Sequence, residues 1–76
     1  MSVHQLDARR LLCPLPVIRT QNAINNLETG EVLLVIATDP GVMHDIPAWS
    51  RIHGHVVLSA EKVDNEFHLR IEVGQK

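Results

Sequence analysis

The spacing of hydrophobic positions changes several times along the chain. VHQLDA, residues 3–8, alternates weakly between apolar and polar and predicts a short edge strand. From Pro14 the period becomes helical. Val17, Ile18, Ala23, Ile24 and Leu27 fall near one side, while Arg19, Asn22, Asn25 and Asn26 fall mostly elsewhere. Gly30 suits the left-handed residue that follows a helix, so the first helix is expected from roughly Pro14 to Glu28. EVLLVIAT is apolar and β-branched without alternation, the pattern of a strand buried at a sheet centre.

Asp39-Pro40-Gly41 then breaks the strand. Ile46, Trp49, Ile52 and His53 are spaced three or four apart, and Gly54 reads as a stop. Pro47 damages a helix interior but is tolerated in a first turn. The second helix is therefore expected to start near Asp45, with Asp45 as N-cap after an irregular turn. HVVLSAEKV and EFHLRIEV read as two strands joined by a tight turn at Asp64-Asn65. Phe67, Leu69, Ile71 and Val73 alternate with Glu66, His68, Arg70 and Glu72, so one face of the last strand is buried and the other is wet.

The order is βαβαββ. A right-handed crossover puts the first helix on one face of the sheet, and the second helix can share it. The expected fold is α+β: a two-layer α/β sandwich in which a four-stranded mixed sheet carries two helices on one face. Its 76 residues make one domain at most, residues 1–76.

Composition narrows the function classes. At 45% apolar residues the chain has enough material for a core without disulfides or metals. One cysteine forms no internal disulfide, which suits a reducing compartment, and a cytoplasmic location is expected. MSVHQLD lacks a basic start followed by an apolar run, so no signal peptide is expected. The apolar run VLLVIA is far short of the ~20 residues that cross a bilayer. A net charge of −2, one Trp, one Phe and no Tyr speak against direct nucleic-acid binding. An RNA-binding module rests only on fold analogy, a weak warrant.

The candidate chemistry lies in LLCPLPVIRTQ, residues 11–21. Cys13 ends the loop after the first strand. Pro14 is expected at the first helical position and Pro16 within the first turn, where missing N–H groups cost little. A thiolate at a helix start is stabilised by the positive end of the dipole, which predicts a modestly lowered thiol pKa. The competing reading is a small buried hydrophobe. Exposure separates the two.

LDARRLLCPLPVIRTQNAI and GEVLLVIATDPGVMHDIPAWSRIHGH resemble the TusA/SirA-like family of small sulfur carrier proteins. The resemblance rests on Cys13-Pro14-Leu15-Pro16. Leu6-Asp7 before it, and Asp39-Pro40 and Asp45-Ile46-Pro47 after it, support it. It implies that Cys13 carries sulfane sulfur as a persulfide, with Pro14 and Pro16 as its structural frame. It also implies a cysteine desulfurase or rhodanese-like donor and an acceptor protein in tRNA thiolation, molybdenum cofactor synthesis or sulfur oxidation. The attack of a thiolate on an outer sulfur needs no metal or organic cofactor.

Two positions depart from the pattern. Family members often have Gly before Leu-x-Cys-Pro, and this chain has Arg10; many have a second cysteine after Asp-Ile-Pro, where this chain has Ser50. A thiol redox or regulatory protein is the alternative, although no resolving cysteine is present. His44, His53 and His55 are read as scattered surface and helix-end residues rather than metal ligands, Asp39 and Asp45 as turn and cap residues, and Trp49 as core. Charged residues in the last two strands oppose edge pairing, so a monomer is expected.

Overall fold

A computed structural model describes residues 3–75. Its elements follow the expected order: β1 (Val3–Ala8), α1 (Leu15–Asn25), β2 (Val32–Ala37), α2 (Val42–Ile52), β3 (Val56–Val63) and β4 (Glu66–Glu72). The strands form one mixed sheet in the order β1-β2-β4-β3. β1 runs parallel to β2, with Leu6 opposite Val35 and Ala8 opposite Ala37. β4 runs antiparallel to both β2 and β3. The two helices pack on each other and on the sheet, giving the two-layer α+β sandwich.

Pleating sorts the sheet residues. Leu33, Val35 and Ala37 of β2 lie opposite Ile71, Leu69 and Phe67 of β4. Together with Ile24, Leu27, Val42 and Ile46 they make the core. β2 has buried residues on both faces: Val32 and Ile36 are buried as well as Leu33, Val35 and Ala37, while Leu34 is half-buried. That explains its unbroken apolar run. β3 is an edge strand, and most of it is exposed. Its register slips between Val57 and Ser59, a bulge that interrupts the edge as a template for pairing. No helix among the described residues is long and apolar enough to cross a membrane.

Both helices differ from expectation at their ends. α1 is shorter than Pro14–Glu28. Pro14 is its N-cap, with non-helical φ −93° and ψ 11°. At the other end Asn26 and Leu27 donate to Ala23 and Ile24, three residues back, which closes the helix. Gly30 does take a positive φ of 92°, but in the loop before β2 rather than directly after the helix. The buried positions within α1 are Pro16, Thr20 and Ile24, while Ile18 is exposed. The helix face is thus rotated from the one its apolar residues suggest.

α2 starts at Val42, three residues before the expected start, and encloses Pro47. Asp45 is not its N-cap; Gly41 is, without a side-chain cap. Val42 and Ile46 are both fully buried. Burying two such side chains is worth ~3–6 kcal/mol, enough to offset the ~3 kcal/mol of an interior proline. Ile52, expected on the core side, is 79% exposed at the helix end.

Candidate functional site

The parallel pairing of β1 and β2 decides where the cysteine sits. Both helices begin beyond the carboxyl ends of these adjacent strands, so the β1–α1 and β2–α2 loops lie side by side. In open α/β sheets this is where ligands and reacting groups collect. Cys13 lies in the first loop and is exposed. Leu12, Leu15 and Ile18, next to it along the chain, are exposed apolar residues. The buried-hydrophobe reading of Cys13 does not hold.

Two carboxylates from the second loop and helix reach Cys13. Its backbone N–H donates to Asp39 Oδ2 at 2.9 Å. Its thiol donates to Asp45 Oδ2 at 3.2 Å. Asp39 Oδ1 meanwhile accepts the Gly41 N–H at 3.0 Å, so one carboxylate ties the two loops together. Asp39 is thereby the turn residue expected of it. The backbone N–H groups of Gly41 and Cys13 hold its carboxyl below the usual range. Gly41 is closely packed against the sulfur: a Cβ there would lie 3.1 Å from Cys13 Sγ.

These contacts reverse the expected ionisation. The Asp45 carboxylate at the sulfur, then burial, then Asp39, push the thiol up to about 12 rather than down. The start of α1 does little to counter them. Leu15 N–H is taken by the Leu12 carbonyl, Pro16 has no N–H, and Val17 N–H bonds to the Pro14 carbonyl. The prolines that fix the helix start thus also remove the donors that a thiolate needs.

The other sequence candidates are placed as follows. Pro14 is exposed, with the Cys13–Pro14 peptide bond cis, while Pro16 is buried in the first turn of α1. Arg10 adopts φ 68°, a left-handed conformation that Gly tolerates best, and donates its N–H to Thr38 Oγ1 at 2.9 Å. Arg10 therefore keeps a glycine-like turn. Arg9 points to Asp7 and Glu66 instead of the sulfur. Ser50 is fully buried, and its hydroxyl lacks a hydrogen-bond partner among the described residues. Trp49 stacks on His55 and tilts against His53, at ring separations of 5.3 and 4.8 Å. His55 is buried, and its Nδ1 accepts the Gly74 N–H. Sequence reasoning missed the Asp45–Cys13 contact. The signal available was a second acid four residues after the Asp-Pro-Gly turn, in the first turn of the helix that a parallel crossover places beside the cysteine.

The arrangement is a small α+β domain presenting one exposed thiol where two βα loops meet. Comparison with known proteins gives the same class. The family model described as Sulfurtransferase TusA matches residues 4–73. The putative sulfur carrier protein YrkI of Bacillus subtilis is 51% identical over 53 residues, 70% of this chain and 71% of that protein. The sulfur carrier protein TusA of Allochromatium vinosum is 38% identical over 68 residues, 90% of each. The crystal structure of a SirA-like protein from Desulfitobacterium hafniense superposes with a TM-score of 0.81 at 26% identity, covering 96% of this chain and 99% of that one. The chain belongs to the Sulfurtransferase TusA family.

Proposed function

We propose that this protein is a sulfur carrier in which Cys13 holds sulfane sulfur as a persulfide and relays it between two proteins. The observation that carries the reading is an exposed cysteine at the meeting of the two βα loops, within Cys-Pro-Leu-Pro. The relatives named as sulfur carriers support it. Exposed Leu12, Leu15 and Ile18, near Cys13 along the chain, offer a docking partner apolar surface. Pro14 and Pro16 act as the frame that holds this loop. The donor is a cysteine desulfurase or rhodanese-like protein. The acceptor belongs to tRNA thiolation, molybdenum cofactor synthesis or sulfur oxidation. The carrier works in the cytoplasm as a single-domain monomer, and the transfer draws on no metal or organic cofactor.

Incubation with a cysteine desulfurase and free cysteine, followed by intact mass, tests the reading. The expected result is one added sulfur on the wild type, released by a thiol reductant and missing from Cys13→Ala. Equal addition to both proteins, or none to the wild type with this donor or with a rhodanese-like persulfide donor in its place, refutes it.

A further inference from the structure

We propose that Asp45 is a positioning residue that latches Cys13: in the free carrier it holds the sulfur as a hydrogen-bond-donating thiol, and attack on a donor persulfide requires that contact to open. The proposal deepens the carrier reading and rests on it for the reaction concerned. The latch itself rests on three geometric facts. The thiol points at Asp45 Oδ2 at 3.2 Å. The Cys13 backbone is pinned by Asp39, which fixes the approach of the sulfur to the α2 start. Gly41 leaves space that even a methyl group would crowd, so the sulfur lies close against the second loop.

The charged groups nearby act in one direction. From the second loop and α2, Asp39 and Asp45 both oppose a negative sulfur. From the first loop, Arg9 is engaged by Asp7 and Glu66, and Arg10 lines the recess that those residues form with Thr38 and Asn65. The charged groups that act on the thiol are thus Asp45 and Asp39, both acidic. Ionising Cys13 in place would replace a hydrogen bond with two negative groups 3.2 Å apart. With the thiol raised to about 12, roughly one molecule in 10⁵ would be thiolate at pH 7. The thiolate is the nucleophile in sulfur exchange, so the closed form is a poor acceptor.

Once open, the step balances without an oxidant. The Cys13 thiol loses its proton to water. The thiolate attacks the outer sulfur of the donor persulfide. The Sγ–S bond forms as the donor S–S bond breaks, and the donor cysteine leaves as a thiolate that takes a proton from water. Sulfane sulfur moves with no net change in oxidation.

The test is the pH profile of Cys13 alkylation by iodoacetamide, a neutral probe, followed by intact mass on the full chain. Asp45→Asn keeps an acceptor of the same shape without the charge. Its midpoint is expected to fall by about one to three pH units, the usual influence of an adjacent charge. Asp45→Glu, which retains the charge, is expected to stay near the wild type. Asp45→Ala serves if the Asn variant does not fold, and is expected to shift the same way. An unshifted midpoint in Asn and Ala overturns the latch, whatever happens to thermal stability, because a purely structural role lowers the melting temperature without moving the profile. A shifted midpoint in a protein that never loads sulfur sustains the latch and sinks the carrier reading. Loading with an unshifted midpoint does the reverse.

Discussion

Arg10→Gly should stabilise the fold. Arg10 stands at φ 68°, in a turn that leads from β1 to the cysteine. A residue with a Cβ pays about 1–2 kcal/mol in this region, because Cβ crowds the following carbonyl. Glycine removes that strain but makes the unfolded chain more flexible, which costs about 0.4–1 kcal/mol. The net gain is about 0.8 kcal/mol, within a span of about 0 to 1.6 kcal/mol. For a domain of this size the central value corresponds to roughly 3–6 °C in melting temperature. The backbone hydrogen bond from Arg10 to Thr38 Oγ1 does not depend on the side chain and survives the change. Thermal unfolding of wild type, Arg10→Gly and Arg10→Ala at neutral pH separates the causes. Arg10→Ala keeps the Cβ and should gain nothing. A Gly variant no more stable than wild type refutes the strain argument. An Ala variant as stable as Gly shows instead that the guanidinium was the destabilising feature.

Three further outcomes are expected. Gly74→Ala should lose more than about 2 kcal/mol by urea unfolding, since its Cβ would lie 1.8 Å from the Gly54 carbonyl oxygen and backbone would have to move; a neutral result contradicts this close approach. Thr20→Val should raise the urea midpoint by the equivalent of about 1 kcal/mol or more, because Thr20 is fully buried, its hydroxyl has no hydrogen-bond partner among the described residues, and Val has the same shape; a lower midpoint would mean that the hydroxyl is satisfied. Asp7 is held at about 2, below its ordinary 3.8, chiefly by the Arg9 side chain; a depressed carboxyl stabilises the fold above the unfolded value and loses that contribution as pH falls. Melting temperatures of wild type and Asp7→Asn should therefore differ at pH 7 and converge as pH drops from about 4 toward 2, and a constant difference across that range would exclude the Asp7–Arg9 pair as its source.

The fold was largely legible because its signals are periodic and local. β4 alternates cleanly, and each of its core residues takes the buried side. β2 is apolar throughout, and it lies between two strands. Where the reading slipped, burial overrode a local rule. Pro47 argued for a late start to α2, yet Val42 and Ile46 reach the core only if the helix begins earlier. On α1, Ile18 looked like core and Thr20 like surface. The buried stripe is instead Pro16, Thr20 and Ile24, spaced about one helical turn apart.

The cysteine's location was legible too, but the sign of its electrostatics was not. Prolines and a helix start are read from neighbours in sequence, and they argued for an easily ionised thiol. The groups that decide the matter lie 26 and 32 residues away, on Asp39 and Asp45. Each acid has an ordinary local explanation as a turn or cap residue, and Asp39 fulfils it. Only the parallel register of β1 against β2, with Ala8 opposite Ala37, puts both acids beside the sulfur. Gly41 completes the arrangement, since a Cβ at that position would lie 3.1 Å from the sulfur and crowd it. Thiol exposure and thiol ionisation are therefore set by different parts of the chain. The Cys-Pro-Leu-Pro segment presents the sulfur, and the Asp-Pro-Gly turn with the first turn of α2 determines when it is charged.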